Sequence, residues 1–466
     1  MYYRFKQIAL VIGDMLLLYV GLYFALVLRY WQFTTPTFSD LSSQMIWLFI
    51  LAVILLFIMG LYDLNQSRNS WPFFQKIIIA AIIWLAFGIA FFYINPTKTV
   101  SAPKTILLLC TLVGFGLVAG WRFIYNHFIS TSLKIQLVFA GFTKETAELI
   151  DILQKEPEWG YAVAGIIGTA QDESELNQEK YKDFKKIILE KNFSEINHLI
   201  KQRAVQLFVV APSMSQNQEV MKQMYADLFY QVGVINLANF YEEIFKRIPP
   251  FTFSESWFIE NLQEQNKKIY DRGRILMDYF LAVIMSIFFA VTFPIIALLI
   301  KITSRGPVFI NQERVGRLGK TFRIYKYRTM KSLGQGGSAE INGPKFAAIN
   351  DPRITLIGKL LRKSRLDEVP QFINILKGEM SIIGPRPERP EFVTQLTDTM
   401  PFYNLRHLVK PGLTGWAQLQ NSYYGTMEEN LRKLEYDLFY IKNRNVILDL
   451  VIVLKTFNIL GRMVGR

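Results

Sequence analysis

Residues 275–300 read ILMDYFLAVIMSIFFAVTFPIIALLI, an apolar run that contains one carboxylate, Asp278, and one proline, Pro294. About 20 apolar residues suffice for a helix to cross a bilayer. Basic residues flank the run: Lys267, Lys268, Arg272 and Arg274 precede it or lie at its border, and Lys301, Arg305, Arg314 and Arg317 follow it. Because positive charge marks the cytoplasmic face and proline interrupts helices, the run predicts a re-entrant helix, broken at Pro294, that returns to the face it entered. A fifth span kinked at Pro294 is the alternative.

An acidic and a basic residue lie near the start of this run. Arg274 and Asp278 are four residues apart, a spacing at which side chains on one helix are neighbours. We therefore expect them to pair at the membrane interface.

Four further apolar stretches open the chain, at about residues 8–28, 45–62, 77–94 and 106–124. Each is near the length of a spanning helix, so residues 1–132 are predicted to form a four-helix transmembrane bundle. Basic residues precede the first stretch and follow the fourth, which puts both ends of the bundle in the cytoplasm. Asp14, inside the first stretch, is either a functional intramembrane acid or a hydrogen-bonding partner of Arg29 or Arg122, and we favour the partner.

Residues 133–264 alternate apolar strands with helices, as is typical of a Rossmann-like α/β domain. Strands are predicted at about 135–140, 163–167 and 205–210, and a helix at 145–153. Of the three glycines of a dinucleotide fingerprint, only the first is present, Gly141. We therefore expect the shape without nucleotide binding. A regulatory or assembly module, for which a homodimer is one candidate form, is favoured over a degenerate ligand site.

The excess positive charge belongs to the C-terminal part of the chain. Residues 266–466 contain 31 Lys and Arg against 16 Asp and Glu, whereas residues 1–265 contain 21 against 22. A basic surface attracts phosphates, and a carboxylate pair within it, Asp367-Glu368, can hold Mg²⁺ or attack phosphorus. This combination favours phosphoryl chemistry. One cysteine and three histidines without metal-ligand spacing argue against a disulfide framework and a zinc site.

Further motifs lie before and after the Asp-Glu pair in the sequence. In chain order they are PVF at 307–309, QERVG at 312–316, YKYRTM at 325–330, NDPRIT at 350–355, LDEVPQ at 366–371, KGEMS at 377–381, GPRP at 384–387 and PGLTGWAQ at 411–418. With these motifs, residues 268–460 resemble the bacterial sugar transferase family, the monotopic polyprenyl-phosphate phosphoglycosyl transferases. The leading helices and the α/β domain are similar to those of its long members, the undecaprenyl-phosphate galactose and glucose phosphotransferases.

This resemblance implies a two-step reaction on a UDP-sugar and polyprenyl (undecaprenyl) phosphate. The sugar 1-phosphate passes to an enzyme aspartate while UMP leaves, and the polyprenyl phosphate then takes it up, which starts the assembly of a surface glycan. Carried over to this sequence, the nucleophile is Asp367 and the Mg²⁺ ligand is Glu368.

Further polar residues of these motifs are candidates for binding phosphate. Arg386 lies between two prolines that hold its backbone stiff and extended, and its guanidinium is therefore the favoured phosphate clamp. The other candidates are Arg314, Lys326, Arg328, Arg353 and Gln371. Each basic residue alone is better explained as a solvated charge, whereas the set is expected to supply two or three contacts. Residues 333–348 are glycine-rich and are expected to form a mobile loop.

The expected protein is therefore a multi-pass protein of the bacterial inner membrane. Residues 265–466 form its mainly α catalytic domain, which faces the cytoplasm and contacts membrane lipid. The rival class is a non-catalytic scaffold or regulator that binds anionic lipid, and the intact Asp-Glu pair argues against it. Nucleic-acid binding is disfavoured because membrane helices flank the basic domain. Which sugar is transferred is not readable from the sequence.

Overall fold

The computed structural model describes residues 2–31, 35–62, 69–94, 103–129, 134–156, 159–168, 189–190, 204–215, 218, 222, 232–262, 267–331, 351–420 and 426–461. The chain folds into two compact units, Met1–Phe240 and Tyr241–Arg466. The predicted mobile loop at 333–348 lies outside the described residues. The predicted domain boundaries at 132/133 and 264/265 stay predictions.

The first unit begins with four long helices: α1 Tyr2–Tyr30, α2 Thr35–Ile58, α3 Trp71–Ile94 and α4 Pro103–Ile124, the last extended by a π-helical turn, Tyr125–Ile129. All four are long and apolar enough to cross a membrane. Helices α1 and α4 lie close together at two glycines, because a Cβ on Gly21 would lie 2.5 Å from the Cα of Gly114. Small residues at such crossings are typical of membrane helix pairs.

A buried ion pair ties the same two helices together. The carboxylate of Asp14, fully buried, accepts hydrogen bonds from Arg122 Nη2 at 2.5 Å and Nε at 3.2 Å and from the Tyr62 hydroxyl at 2.7 Å. Arg122 Nη1 donates to the carbonyl of Leu61 at 2.6 Å. Asp14 is thus a hydrogen-bonding partner, and Arg122, rather than Arg29, binds it.

A parallel sheet follows the helices. Its strands are β1 Ile135–Ala140, β2 Tyr161–Ile167, β3 Leu189–Glu190, β4 Leu207–Val210 and β5 Gly233–Asn236, in the order β3-β2-β1-β4-β5. Helix α5, Lys144–Lys155, follows β1. The direction in which successive strands are added to the sheet reverses between β1 and β4. Doubly wound folds bind ligands at such a switch point. There a Cβ on Gly141 would meet the Cβ of Ala211 at 2.7 Å, so the turn after β1 packs directly against the start of the short helix α6, Pro212–Ser215.

The second unit is mainly helical. Its helices are α7 Leu237–Phe245, which begins in the first unit, α8 Glu255–Asn261, α9 Lys268–Thr303, α10 Leu356–Ser364, α11 Phe372–Leu376, α12 Pro390–Thr399, α13 Trp416–Gln420, α14 Met427–Asn443 and α15 Val446–Gly461. An antiparallel hairpin is formed by β6 Phe309–Val315 and β7 Thr321–Tyr327, and a parallel pair by β8 Ser381–Ile383 and β9 Gly412–Thr414.

Helix α9 continues through Pro294, so the predicted break of the helix at this proline is wrong. Both halves of α9 pack against the second unit. Ala282 lies in its main core, while Ile296 and Ile300 form a second cluster with Tyr327 and Leu361. This packing offsets the loss of one backbone hydrogen bond and the clash of the proline ring. Helix α9 is long and apolar enough to cross a membrane, and its re-entry stays a prediction.

Candidate active site

The β6–β7 hairpin supplies the first cation of the site. Side chains alternate between the two faces of a strand, so Phe322, Ile324 and Lys326 share one face of β7. Phe322 and Ile324 are buried in the main core. The core thereby fixes the strand, and Lys326 extends its inner face to the carboxylate pair.

A sharp turn presents the two adjacent carboxylates. Arg365 adopts a left-handed conformation, with φ 55° and ψ 18°, and ends α10. The chain then forms a 3₁₀ helix, Leu366–Gln371. Successive residues of a 3₁₀ helix project about 120° apart, so Asp367 and Glu368 point in different directions. Glu368 is buried, whereas Asp367 is only partly so.

Glu368 is surrounded by cations. Its Oε1 accepts hydrogen bonds from Lys326 Nζ at 3.0 Å and Arg386 Nη2 at 2.7 Å, and Arg365 Nη1 lies 3.9 Å from its Oε2. Although burial raises the pKa of Glu368, the charges of Arg386, Lys326 and Arg365 lower it below its ordinary value. Glu368 is therefore ionised and brings the two predicted phosphate-binding cations Lys326 and Arg386 together.

The backbone around Arg386 is locked by a neighbouring motif. The amide of Gly384 donates to the carbonyl of Thr414 at 2.8 Å, and the amide of Gly412 to that of Pro385 at 2.9 Å. A Cβ on Gly412 would lie 2.0 Å from the nitrogen of Gly384, so this approach requires glycine at 412. The GPRP and PGLTG motifs, far apart in sequence, thus form one rigid element.

Asp367 contrasts with its neighbour. Within the part of the chain that the structure describes, its carboxylate makes no hydrogen bond. Burial and the charge of Glu368 raise its pKa to about 6, while Lys326, Arg362 and Arg386 act against this rise. At neutral pH the carboxylate is mostly ionised and free to react. Such a group, set among cations, has the properties of a nucleophile toward phosphorus.

Comparison with known proteins places these motifs in a family. Residues 269–462 match the family described as bacterial sugar transferase. The exopolysaccharide production protein PSS of Rhizobium leguminosarum bv. phaseoli is 35% identical over 167 residues, which are 34% of this chain and 81% of that protein. The chain belongs to the bacterial sugar transferase family.

Two more relatives differ in how much of the chain they match. The UDP-N-acetylgalactosamine-undecaprenyl-phosphate N-acetylgalactosaminephosphotransferase of Aeromonas hydrophila is 46% identical over 180 residues, which are 39% of this chain and 41% of that protein. The UDP-glucose:undecaprenyl-phosphate glucose-1-phosphate transferase of Klebsiella pneumoniae is 28% identical over 473 residues, 95% of this chain and 93% of that protein. The match thus spans less than half of the first relative and nearly all of the second.

Two other predicted phosphate ligands, Arg314 and Arg328, are engaged in contacts with nearby backbone carbonyls. Arg314 donates from Nη1 to the carbonyl of Pro387 at 3.2 Å, which braces the segment next to Arg386, and burial lowers its pKa to about 10. Arg328 donates from Nη2 to the carbonyl of Ser304 at 2.8 Å and from Nη1 to that of Arg305, beyond the C-terminal end of α9.

Arg353 and Gln371 complete the predicted set. Arg353 Nη2 lies 2.6 Å from Oδ2 of Asp351, and its Nε also donates to that carboxylate. Hydrogen bonds from Arg353 lower the pKa of Asp351 to about 2. Gln371 is buried, and its Nε2 has no hydrogen-bond partner among the described residues. A phosphate-binding role for Arg314, Arg328, Arg353 and Gln371 stays a prediction.

Arg274 and Asp278 meet through a third residue, Ser381 at the start of β8. Arg274 Nη2 donates to the Ser381 hydroxyl at 2.8 Å, and that hydroxyl donates to Asp278 Oδ1 at 3.0 Å. The same oxygen accepts the amide of Ile382 at 2.9 Å, and Arg274 also donates to the carbonyl of Ile383. The pair therefore anchors α9 to the strand that leads into the GPRP motif.

Two arginines of the site were missed by the sequence analysis. Arg406 Nη2 donates to the carbonyl of Arg386 at 2.9 Å and to Asp437 Oδ2 at 2.8 Å. Arg362 Nε donates to the hydroxyl of Thr329 at 2.8 Å, and its charge lowers the pKa of Asp367. Arg406 stands outside the quoted motifs, and nothing in the sequence shows which face of α10 Arg362 occupies.

The carboxylate pair fits Mg²⁺ only together with substrate. Among the described residues, no group of three or more His, Cys, Asp or Glu side chains could hold a metal. Mg²⁺, however, is commonly bound by one or two carboxylates plus substrate phosphates and water. Glu368 Oε2, which lies 3.9 Å from Arg365 Nη1, is the oxygen that would hold the ion, and magnesium binding stays a prediction.

Proposed function

We propose that the protein transfers a sugar 1-phosphate from a UDP-sugar to undecaprenyl phosphate, releases UMP, and so starts the assembly of a surface glycan. The observation that carries this proposal is the ionised, unengaged carboxylate of Asp367 in the field of Lys326, Arg362 and Arg386. Lys326 and Arg386 are placed to stabilise the charge that spreads over the phosphoryl oxygens of the donor during transfer. The names of the relatives from Aeromonas hydrophila and Klebsiella pneumoniae support the two substrate classes.

In the first step, a carboxylate oxygen of Asp367 attacks the phosphorus that bears the sugar. The bond from this phosphorus to the oxygen of UMP breaks, and UMP leaves with the bonding electron pair. The sugar phosphate is then an acyl phosphate on Asp367. Because UMP leaves as a stable phosphate anion, the step needs no general acid.

In the second step, a phosphate oxygen of undecaprenyl phosphate attacks the same phosphorus. The bond to Asp367 breaks, the carboxylate returns to its ionised form, and the product is a sugar linked to undecaprenyl diphosphate. Covalent catalysis of this kind divides one difficult displacement into two easier ones.

The neighbouring residues bind and orient the diphosphate. Lys326 and Arg386, held by Glu368, present their remaining donors to the phosphoryl oxygens. Arg406 and Arg314 keep the Arg386 backbone in place. Mg²⁺, when bound through Glu368, neutralises diphosphate charge and favours the departure of UMP.

The contacts of α9 support a re-entrant path, with a kink rather than a break of the helix at Pro294, that keeps the second unit on the cytoplasmic side of the inner membrane. On a straight helix Asp278 and Ile300 would be about 33 Å apart, roughly the thickness of a bilayer core. Yet Asp278 binds the amide of Ile382, and Ile300 packs against Tyr327, so both ends of α9 contact the same folded unit. A simple span would place those ends on opposite sides of the membrane. This orientation would place the site in the cytoplasm, where UDP-sugars are found.

The proposal is tested by UMP release from purified, detergent-solubilised protein. A panel of UDP-sugars that includes UDP-glucose and UDP-N-acetylgalactosamine is offered with undecaprenyl phosphate, with Mg²⁺ or with EDTA. We expect UMP and a lipid-linked sugar from at least one donor, in the Mg²⁺ arm only. If no donor gives UMP above the Asp367→Asn background, the protein is a membrane scaffold rather than a transferase.

A further inference from the structure

Arg362 has donor nitrogens that make no hydrogen bond within the described part of the chain. Its Nε is fixed by the Thr329 hydroxyl at 2.8 Å, whereas neither Nη nitrogen makes a hydrogen bond to a described residue. Lys326 and Arg386 differ in this respect, because both donate to Glu368. A guanidinium held at Nε with two free Nη nitrogens is arranged to bind an oxyanion.

The helix that carries Arg362 has a surface suited to lipid. Leu356 is 82% exposed and Leu360 is 54% exposed, while Ile357 and Leu361 on the other face pack against the cluster around α9. The exposed lysines Lys359 and Lys363 border the two exposed leucines. Exposed leucines beside lysines are typical of a helix that lies in the membrane interface, with its ammonium groups at the level of the headgroups.

Arg362 borders the exposed lysines of α10 on one side and the buried face of this helix on the other. Residues one position apart on an α-helix are separated by about 100° around its axis, so Arg362 lies on the flank between the exposed Lys363 and the buried Leu361. From that flank its charge acts on Asp367. A water-soluble nucleotide sugar has no need to approach from this side, whereas the phosphate of a membrane-embedded acceptor arrives from it.

We propose that Arg362 binds the phosphate of the polyprenyl acceptor and directs it to Asp367 for the second step, whereas Arg386 and Lys326 serve the nucleotide-sugar donor. This inference rests on the proposed function and divides its two half-reactions between two sets of cations. Thr329 is the positioning residue for Arg362.

The two half-reactions are measured separately in nanodiscs, with the UDP-sugar that wild-type protein turns over. The burst of UMP without acceptor reports the first step, and the KM for undecaprenyl phosphate reports the second. For Arg362→Gln we expect a UMP burst at pH 8 of wild-type amplitude and a KM for acceptor raised about 10- to 100-fold, the loss typical of a hydrogen bond to a charged group. Arg362→Lys is expected to recover part of the loss.

Two controls separate acceptor binding from folding and from general attraction to lipid. Lys363→Gln removes a neighbouring charge on the lipid-facing side and is expected to leave the KM for acceptor within about twofold, as for an exposed charge. Thr329→Val keeps the shape of the side chain but removes the hydroxyl, so it is expected to raise this KM less than Arg362→Gln does. Arg362→Gln is expected to raise the KM for acceptor by the same factor in nanodiscs with and without anionic lipid, because Arg362 recognises the acceptor phosphate rather than the bulk headgroups.

The inference is overturned by either of two results. One is a burst that is lost, or a KM for the UDP-sugar that rises, while the KM for acceptor stays unchanged. The other is an Arg362→Gln protein with wild-type kinetics, or with a loss that disappears in neutral lipid. Failure of the proposed function itself looks different, because wild-type protein would then release no UMP at all.

Discussion

Asp14, in the bundle of α1 to α4, and Asp367, in the second unit, are two carboxylates under the influence of arginine, and their surroundings differ. Asp14 is saturated: Arg122 and the Tyr62 hydroxyl donate three hydrogen bonds to it. Asp367 receives none from the described residues, although three cations act on it. A buried charge that is fully paired holds helices together, whereas one that is left unpaired among cations remains available for chemistry.

The largest effect that tests this contrast is on turnover. Asp367→Asn removes the nucleophile, so we expect kcat to fall by at least about 1,000-fold, as when other covalent nucleophiles are removed. Asp14→Asn makes the same chemical change in the bundle and is expected to leave kcat per folded molecule unchanged. Steady-state UMP release, normalised to the folded fraction, measures both. A loss of turnover in Asp14→Asn at full folding would show that the bundle acid takes part in the reaction.

The next largest effect on turnover is expected at Arg386, the predicted phosphate clamp. Arg386→Gln removes a donor aimed at the phosphoryl oxygens, and kcat is expected to fall roughly 100-fold, the usual loss for one such donor. Arg323→Gln is the matched control, because Arg323 is exposed on β7 and is not among the predicted phosphate ligands. Equal losses in the two variants would mean that the charge of the domain, rather than the position of Arg386, matters.

Stability should change in opposite directions at the two carboxylates. Asp14→Asn leaves Arg122 buried without its counter-charge and is expected to cost about 3 kcal/mol. Asp367→Asn is expected to stabilise by up to about 3 kcal/mol at pH 8, because the folded protein raises the pKa of Asp367 and its ionisation is costly. That gain is present above the folded pKa of about 6 and vanishes below the ordinary pKa of aspartate. Melting temperatures of both variants between pH 4 and pH 8 measure it, and a destabilised Asp367→Asn protein at pH 8 would contradict this account of Asp367.

The smallest effect is a shift in pH dependence. Attack requires ionised Asp367, whose pKa of about 6 without metal would be lowered by bound Mg²⁺, so the single-turnover rate of UMP release is expected to fall at and below this pH. Lys326→Met removes a cation that favours the ionisation of Asp367, so it should move the acid limb of this pH–rate profile to higher pH. Lys363→Met should leave the limb in place. The first half-reaction is used because undecaprenyl phosphate itself titrates near this pH. If the acid limb does not move in Lys326→Met, the fall in rate reflects the titration of a group other than Asp367.

The contrast between the two regions also shows what the sequence can predict. Runs of apolar residues predicted the positions of the long helices. The alternation of apolar strands with helices predicted the sheet that contains the strand before Gly141. Both signals are local in the sequence. The Asp367-Glu368 pair and Arg386 were recognised because their motifs are contiguous. Each of these features depends on neighbours along the chain.

Features that depend on distant partners were missed or misread. Arg328 is predicted to bind phosphate, and its hydrogen bonds to the carbonyls of Ser304 and Arg305 are contacts that no local pattern reveals. Arg362 and Arg406 gain their significance only from Thr329 and Asp437, which are remote in sequence. The predicted break at Pro294 failed for the same reason, because packing on both sides of the proline keeps α9 helical.

The covalent role of Asp367 is tested most directly by mass spectrometry of the intact protein after brief incubation with a UDP-sugar that the wild-type protein turns over, without acceptor, followed by denaturation. The account predicts an added mass equal to one sugar phosphate, located on the peptide that contains Asp367, lost when undecaprenyl phosphate is supplied and absent from Asp367→Asn. Single-turnover UMP release without any such adduct, or an adduct on another residue, would contradict it.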